Sequence, residues 1–318
     1  MTKYLQNRIA ESAMALPIMV LIATMVWLLA GLVARQWWGQ LVCFAVTTYL
    51  MVELSNDNAL LRVRSRMVSC TFLALSCASS FLFGSLPGGI VQLCMVAAII
   101  ILFRCYQHSE RTGWVYYAFL CVGLASLVFV QMFVFVPFLW LFAVTDLQAL
   151  NWRSFAASLF GLATPYWFAA LYAVWQKDFT DMAAHFAALA DVPFPFDYTT
   201  LTAGQTVALA LIVVLMFMSI AHFWLYSFED KIRIRQFYAF FIKMSLLTAV
   251  FVGLQPQHYD VLLRLLIVFA SPVIAHFLTL THSRPTNVVF VAAMVAAALI
   301  TVYNLAVPLL TAWGATAS

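Results

Sequence analysis

The stretch that decides the fold is Trp114–Thr145, WVYYAFLCVGLASLVFVQMFVFVPFLWLFAVT, which holds no Asp, Glu, Lys or Arg. As one helix it would be about 48 Å long at 1.5 Å per residue, against a hydrocarbon core of roughly 30 Å. That excess length suits two short crossings or a dip and return, and the Lys/Arg distribution decides between these and a single crossing. Gln131 and Pro137 offer places to break it, because proline lacks the N–H that a helix interior uses.

The rest of the chain has the same character. Of its 318 residues, 65% are apolar, 16% aromatic and only 9% charged, where a soluble domain carries about 25% charge. Mean hydropathy is +0.98. So little charge cannot cover a water-facing surface, and long unbroken apolar runs predict helices rather than an outer-membrane barrel. Spans are expected near 14–33, 38–54, 67–83, 88–104, 114–129, 131–145, 154–175, 203–226, 237–254, 261–280 and 287–310. The fold class is therefore an all-α, polytopic transmembrane helix bundle of about eleven membrane segments, with a short, broken pair at 114–145. It reads as a single transmembrane domain over 1–318. The run Met14–Val33, after Lys3 and Arg8, is too long for a signal-peptide core and reads as a retained first span.

The Lys/Arg bias orients it. With the central stretch broken, one side collects Lys3, Arg8, Arg62, Arg64, Arg66, Arg104, Arg111, Arg153, Lys231, Arg233, Arg235 and Arg284, and the other holds Arg35 and Lys177. With a single crossing that asymmetry nearly vanishes. The expectation is an N-terminus on the inner side of a bacterial inner membrane, an uncharged tail outside, and one sizeable outer loop at about 176–203. The net charge of +4 sits in short loops and is no nucleic-acid footprint. The six cysteines form no CxxC and read as packing residues.

Candidate site residues fall in three places. At the inner end of the second span, Glu53, Asp57, Arg62, Arg64 and Arg66 make a polar knot, read either as a lipid-facing anchor or as an arginine cluster for a phosphate, which guanidinium forks match. In the outer loop, Asp178, Asp181 and His185 share a helical face at i, i+3, i+7 and suit either a divalent metal or a general base, as candidate catalytic residues. Lys243 and Arg264 lie inside spans, where charges usually face a cavity. His222 and His276, near inner span ends, read as helix-packing hydrogen-bonders. The loop Glu229–Arg235 reads as a basic anchor. No nucleotide-binding loop, GxGxxG, HExxH or GxSxG is present, so neither a bound cofactor nor ATP bound on this chain as an energy source is expected.

Two stretches carry a resemblance. ELSNDNALLRVRSRM, and WRSFAASLFGLATPYWFAALYAVW following GLASLVFVQMFVFVPFLWLF, are similar to a family of multi-pass membrane proteins from Bacteroidota that has no assigned activity. The matching positions are Gly123 to Leu127, Pro137, Trp152 to Arg153, Gly161 and Pro165 to Tyr166. The same half-helix module resembles part of the C-type membrane glycosyltransferases, which use polyprenyl-phosphate sugars and carry catalytic acids in the first outer loop. Here that loop, Ala34 to Gly39, has no Asp or Glu, so an enzyme of that kind would draw its acids from Asp178 or Asp181. The leading expectation is a protein without catalysis that binds or translocates a lipid-linked envelope intermediate, with membrane lipids, a polyprenyl-phosphate-linked substrate and other membrane proteins as partners. The alternatives are that glycosyltransferase with a non-standard acidic site, and a structural subunit of an envelope complex.

Overall fold

The computed structural model describes residues 4–63, 65–190, 198–199, 201–281 and 283–316, with backbone alone from 308 onward. No strand occurs among the described residues, and every expected apolar segment carries a helix. Among the described residues, six helices are long and apolar enough to cross a membrane, fewer than the number of segments expected. The chain forms two compact units, Met1–Leu86 with Asp197–Ser318, and Pro87–Phe196.

The first unit contains α1 (Leu5–Ala10), α2 (Ala15–Leu29), α3 (Trp38–Asn58) and α4 (Met67–Ala78). Its second half, which follows the other unit in sequence, contains α10 (Ala203–Tyr226), α11 (Ile232–Leu254), α12 (Tyr259–Leu280) and α13 (Arg284–Thr316). The core is α12, buried at every position from Leu262 to Thr279 and packed by α4, α10 and α11. A helix apolar on all sides belongs in a core. Its two ionisable interior residues, Arg264 and His276, must then find partners there.

Arg264 finds them at a break in the chain. Helix α4 stops at Ala78, about 18 Å from its start at 1.5 Å per residue, and a 3-10 turn follows at Ser80–Gly84. Such a break leaves carbonyls without helical partners. Arg264 Nη2 donates to the carbonyls of Leu82 and Ser85, and Asn304 Nδ2 donates to that of Ala78 at 2.7 Å.

In the second unit, α5 (Leu86–Phe103) packs Met95 and Ile99 towards Phe119 and Leu139 of α6 (Thr112–Val128) and α7 (Met132–Thr145). Helices α8 (Trp152–Gln176) and α9 (Thr180–Ala187) follow. The charge-free stretch is broken at Phe129–Gln131, where Phe129 is extended and the Gln131 side chain leaves the helix to donate to Ala188 O at 3.2 Å. Pro137 stays inside α7. Helices α6 and α8 approach so closely that a Cβ on Gly161 would overlap Tyr116 O, and one on Gly123 would lie 2.9 Å from Leu162 O. Small residues permit such contact between helices in lipid. The crossing is fixed by Tyr116 to Thr164 and Tyr166 to Ser126 hydrogen bonds, each 3.0 Å.

Candidate functional site

Of the expected arginine knot, Arg62 belongs to an ion network with residues from elsewhere in the chain. Arg62, in the loop between α3 and α4, donates from Nε to Asp230 Oδ1 and from Nη1 to Glu229 Oε2, both at 2.5 Å. Asp230 lies in the turn before α11 with its side chain wholly buried, and its other oxygen accepts from His276 Nε2 at 3.0 Å. Burial pushes the Asp230 carboxyl up, but the bonds from His276 and Arg62 outweigh it and hold the group below the usual carboxylate range. The bond to Asp230 in turn raises the Arg62 guanidinium. Tyr238 seals the network, with its hydroxyl donating to Leu60 O at 3.1 Å and its ring 4.7 Å from that of His276. Arg62 is thus committed to two carboxylates. Arg64 lies outside the described residues. Glu53 is half-buried and Asp57 exposed on α3.

Arg264 is turned onto the backbone carbonyls described above, with Asp260 one turn earlier adding its charge. Lys243 is half-buried on α11. The rings of His222 and His276 lie 6.1 Å apart.

An apolar groove of about 500 Å³ opens in the same unit, walled by α1, α2, α4, α12 and α13 through side chains such as Ile18, Ile22, Leu75, Ile274 and Met294. Arg8 and Ser12 are among its lining residues. Helix α1 is docked by a buried glutamine. Gln6 Nε2 donates to Leu278 O at 2.6 Å and to Thr281 Oγ1 at 2.5 Å, while its backbone N–H reaches Asn287 Oδ1 at 3.1 Å. Arg66 immediately precedes the lining residue Met67 and acts electrostatically on the thiol of Cys70, another lining residue. Neither Arg8 nor Arg66 has a carboxylate partner among the described residues.

The second unit has a polar cavity of about 460 Å³, lined by Tyr166, Tyr172, Gln176, Asp178, Asp181 and His185. Tyr166 Oη lies 3.3 Å from His185 Nε2. Asp178 sits ahead of α9 rather than within it, so only Asp181 and His185 share the helix. Bonds from the side chain and backbone of Thr180 hold the Asp178 carboxyl low. Among the described residues, no three of His, Cys, Asp and Glu come close enough to hold a metal ion.

Sequence reasoning passed over the Asp230–His276 pair and the groove. The signal for the first was His276, an ionisable residue in the apolar second half of α12. No protein-family model, curated protein or solved structure matches the chain.

Proposed function

We propose that this chain is a multi-pass protein of a bacterial inner membrane that binds an anionic long-chain lipid, of the polyprenyl-phosphate class used to build envelope glycans, and holds or moves it without altering it. The observation that carries this reading is an apolar groove lined by Arg8, with Arg66 next in sequence to its lining residue Met67, both arginines lacking carboxylate partners among the described residues. Lipid chains match the apolar wall, and guanidinium forks match phosphate oxygens. In the eleven-segment topology with the N-terminus inside, both arginines lie at the inner interface, where anionic headgroups sit.

The test is native mass spectrometry of the protein released from lipid nanodiscs containing polyprenyl phosphate. Wild type should retain the lipid, and Arg8→Gln with Arg66→Gln should lose it. Equal retention by both would contradict the reading.

A second reading has its own support in the polar cavity with Asp178, Asp181 and His185. It is a lipid-linked glycosyltransferase of the C-type superfamily with its acids in this loop, Asp181 serving as base beside the Tyr166–His185 pair. It requires sugar transfer from a polyprenyl-phosphate donor that Asp181→Asn abolishes in a folded protein.

A further inference from the structure

Resting on the groove reading above, we propose that Asp230 and His276 are positioning residues for its headgroup end, acting through Arg62 on the loop that presents Arg66.

That loop, described at residues 59–63 and 65–66, is held at several points. It leaves α3 through Ala59 in a left-handed conformation (φ 47°), a conformation that costs a non-glycine residue about 1–2 kcal/mol and needs support from its surroundings. Leu60 is buried and its carbonyl accepts from Tyr238. Arg62 is gripped by Asp230 and Glu229. Ser65 is buried, and its hydroxyl accepts from the backbone N–H of Met67 at 3.2 Å. Arg66 stands between that last pin and the start of α4, whose Met67 and Cys70 line the groove.

Most pins come from elements remote in sequence. Asp230 belongs to the α10–α11 turn, Tyr238 to α11 and His276 to α12. Burying an ion pair yields little net stability, and apolar residues of similar volume often serve as well. What a buried, fully bonded carboxylate does supply is one fixed arrangement. Asp230 takes the Arg62 Nε–H on one oxygen and one imidazole N–H on the other, which sets the direction in which Arg62 leaves the loop. The charged and titratable groups around it are Arg62, Glu229, His276, Tyr238 and His222, with Arg233 bound to Asn58 at 3.4 Å on the exposed side.

The experiment measures binding of polyprenyl phosphate to the full-length protein in phosphatidylcholine nanodiscs. His276→Gln keeps an N–H for Asp230 and should bind as wild type does. His276→Leu removes it and should weaken binding about tenfold, the size of coupling seen between residues in one network. The double variant His276→Leu/Arg66→Gln should bind no more weakly than Arg66→Gln alone, because His276 acts by way of Arg66. A merely structural role for His276 would add its full loss on top.

If His276→Leu fails to fold, Arg62→Lys replaces it. It keeps the charge beside Asp230 but loses the fork that spans both carboxylates, and should show the same loss and the same non-additivity. Additive losses, or no loss from either variant while Arg66→Gln still weakens binding, would overturn the positioning role and leave the groove reading intact. Binding unaffected by Arg8→Gln and Arg66→Gln together would overturn both.

Discussion

His276 donates to Asp230 across 3.0 Å, joining the last turns of α12 to the turn before α11, and the two side chains are only 1% and 0% exposed. An unpaired charge so placed would be costly, so the pair and Arg62 stand or fall together.

The first prediction concerns acid. The folded Asp230 carboxyl lies below its unfolded value of about 3.9. A depressed carboxylate stabilises the fold above the unfolded value, and that contribution disappears as pH falls through the folded one. Thermal unfolding in detergent should show Asp230→Asn well below wild type at pH 7, with the gap narrowing below about pH 4. A gap constant with pH would show that the carboxylate charge is not what matters.

Removing Arg62 should cost more than an ordinary surface substitution. Arg62→Met leaves Asp230 buried with His276 alone, and loss of one partner from a buried pair costs roughly 3–5 kcal/mol. The exposure of Arg62, 32% of its side chain, places the effect at the lower end through solvent screening. Denaturation in mixed detergent would measure it, and a change of under about 1 kcal/mol, as for an exposed pair, would refute the network.

Arg264 should prove structural. Arg264→Met uncaps the Leu82 and Ser85 carbonyls, and an unsatisfied buried acceptor costs about 1–3 kcal/mol. The melting temperature should fall while polyprenyl-phosphate binding by the folded fraction is unchanged. Lost binding at unchanged stability would instead make Arg264 a ligand residue.

The α6–α8 crossing should tolerate no added carbon at Gly161. Gly161→Ala forces the two backbones apart, at about 1–3 kcal/mol for overpacking. Gly113→Ala, where a Cβ meets nothing within 4 Å, should be neutral or stabilising by up to about 1 kcal/mol. Equal melting temperatures for the two variants would contradict the close approach.

How much of this was legible in the sequence differs from element to element. The break in Trp114–Thr145 was readable from its length together with the Lys/Arg asymmetry, and Gln131 marked its place; Pro137 did not, since a helix packed among neighbours can carry a proline. The early stop of α4 was hidden, because the groups that satisfy its carbonyls, Arg264 and Asn304, come from distant helices. The Arg62–Asp230–His276 network was hidden likewise. Its members lie in three segments, and the Asp230 loop looks like a basic anchor until His276 is placed beside it. The shared face expected for Asp178, Asp181 and His185 assumed a helix that begins only at Thr180.

The most direct test of the lipid-binding claim is to locate the lipid. A polyprenyl phosphate carrying a photoreactive diazirine near the end of its chain is bound in nanodiscs, irradiated, and mapped by peptide mass spectrometry. The groove account predicts cross-links in Ile18–Ile22 of α2 and Ala293–Ala297 of α13, lost in Arg8→Gln/Arg66→Gln. Cross-links confined to exposed faces such as Phe160 and Trp167 of α8, and unchanged by those substitutions, would contradict it.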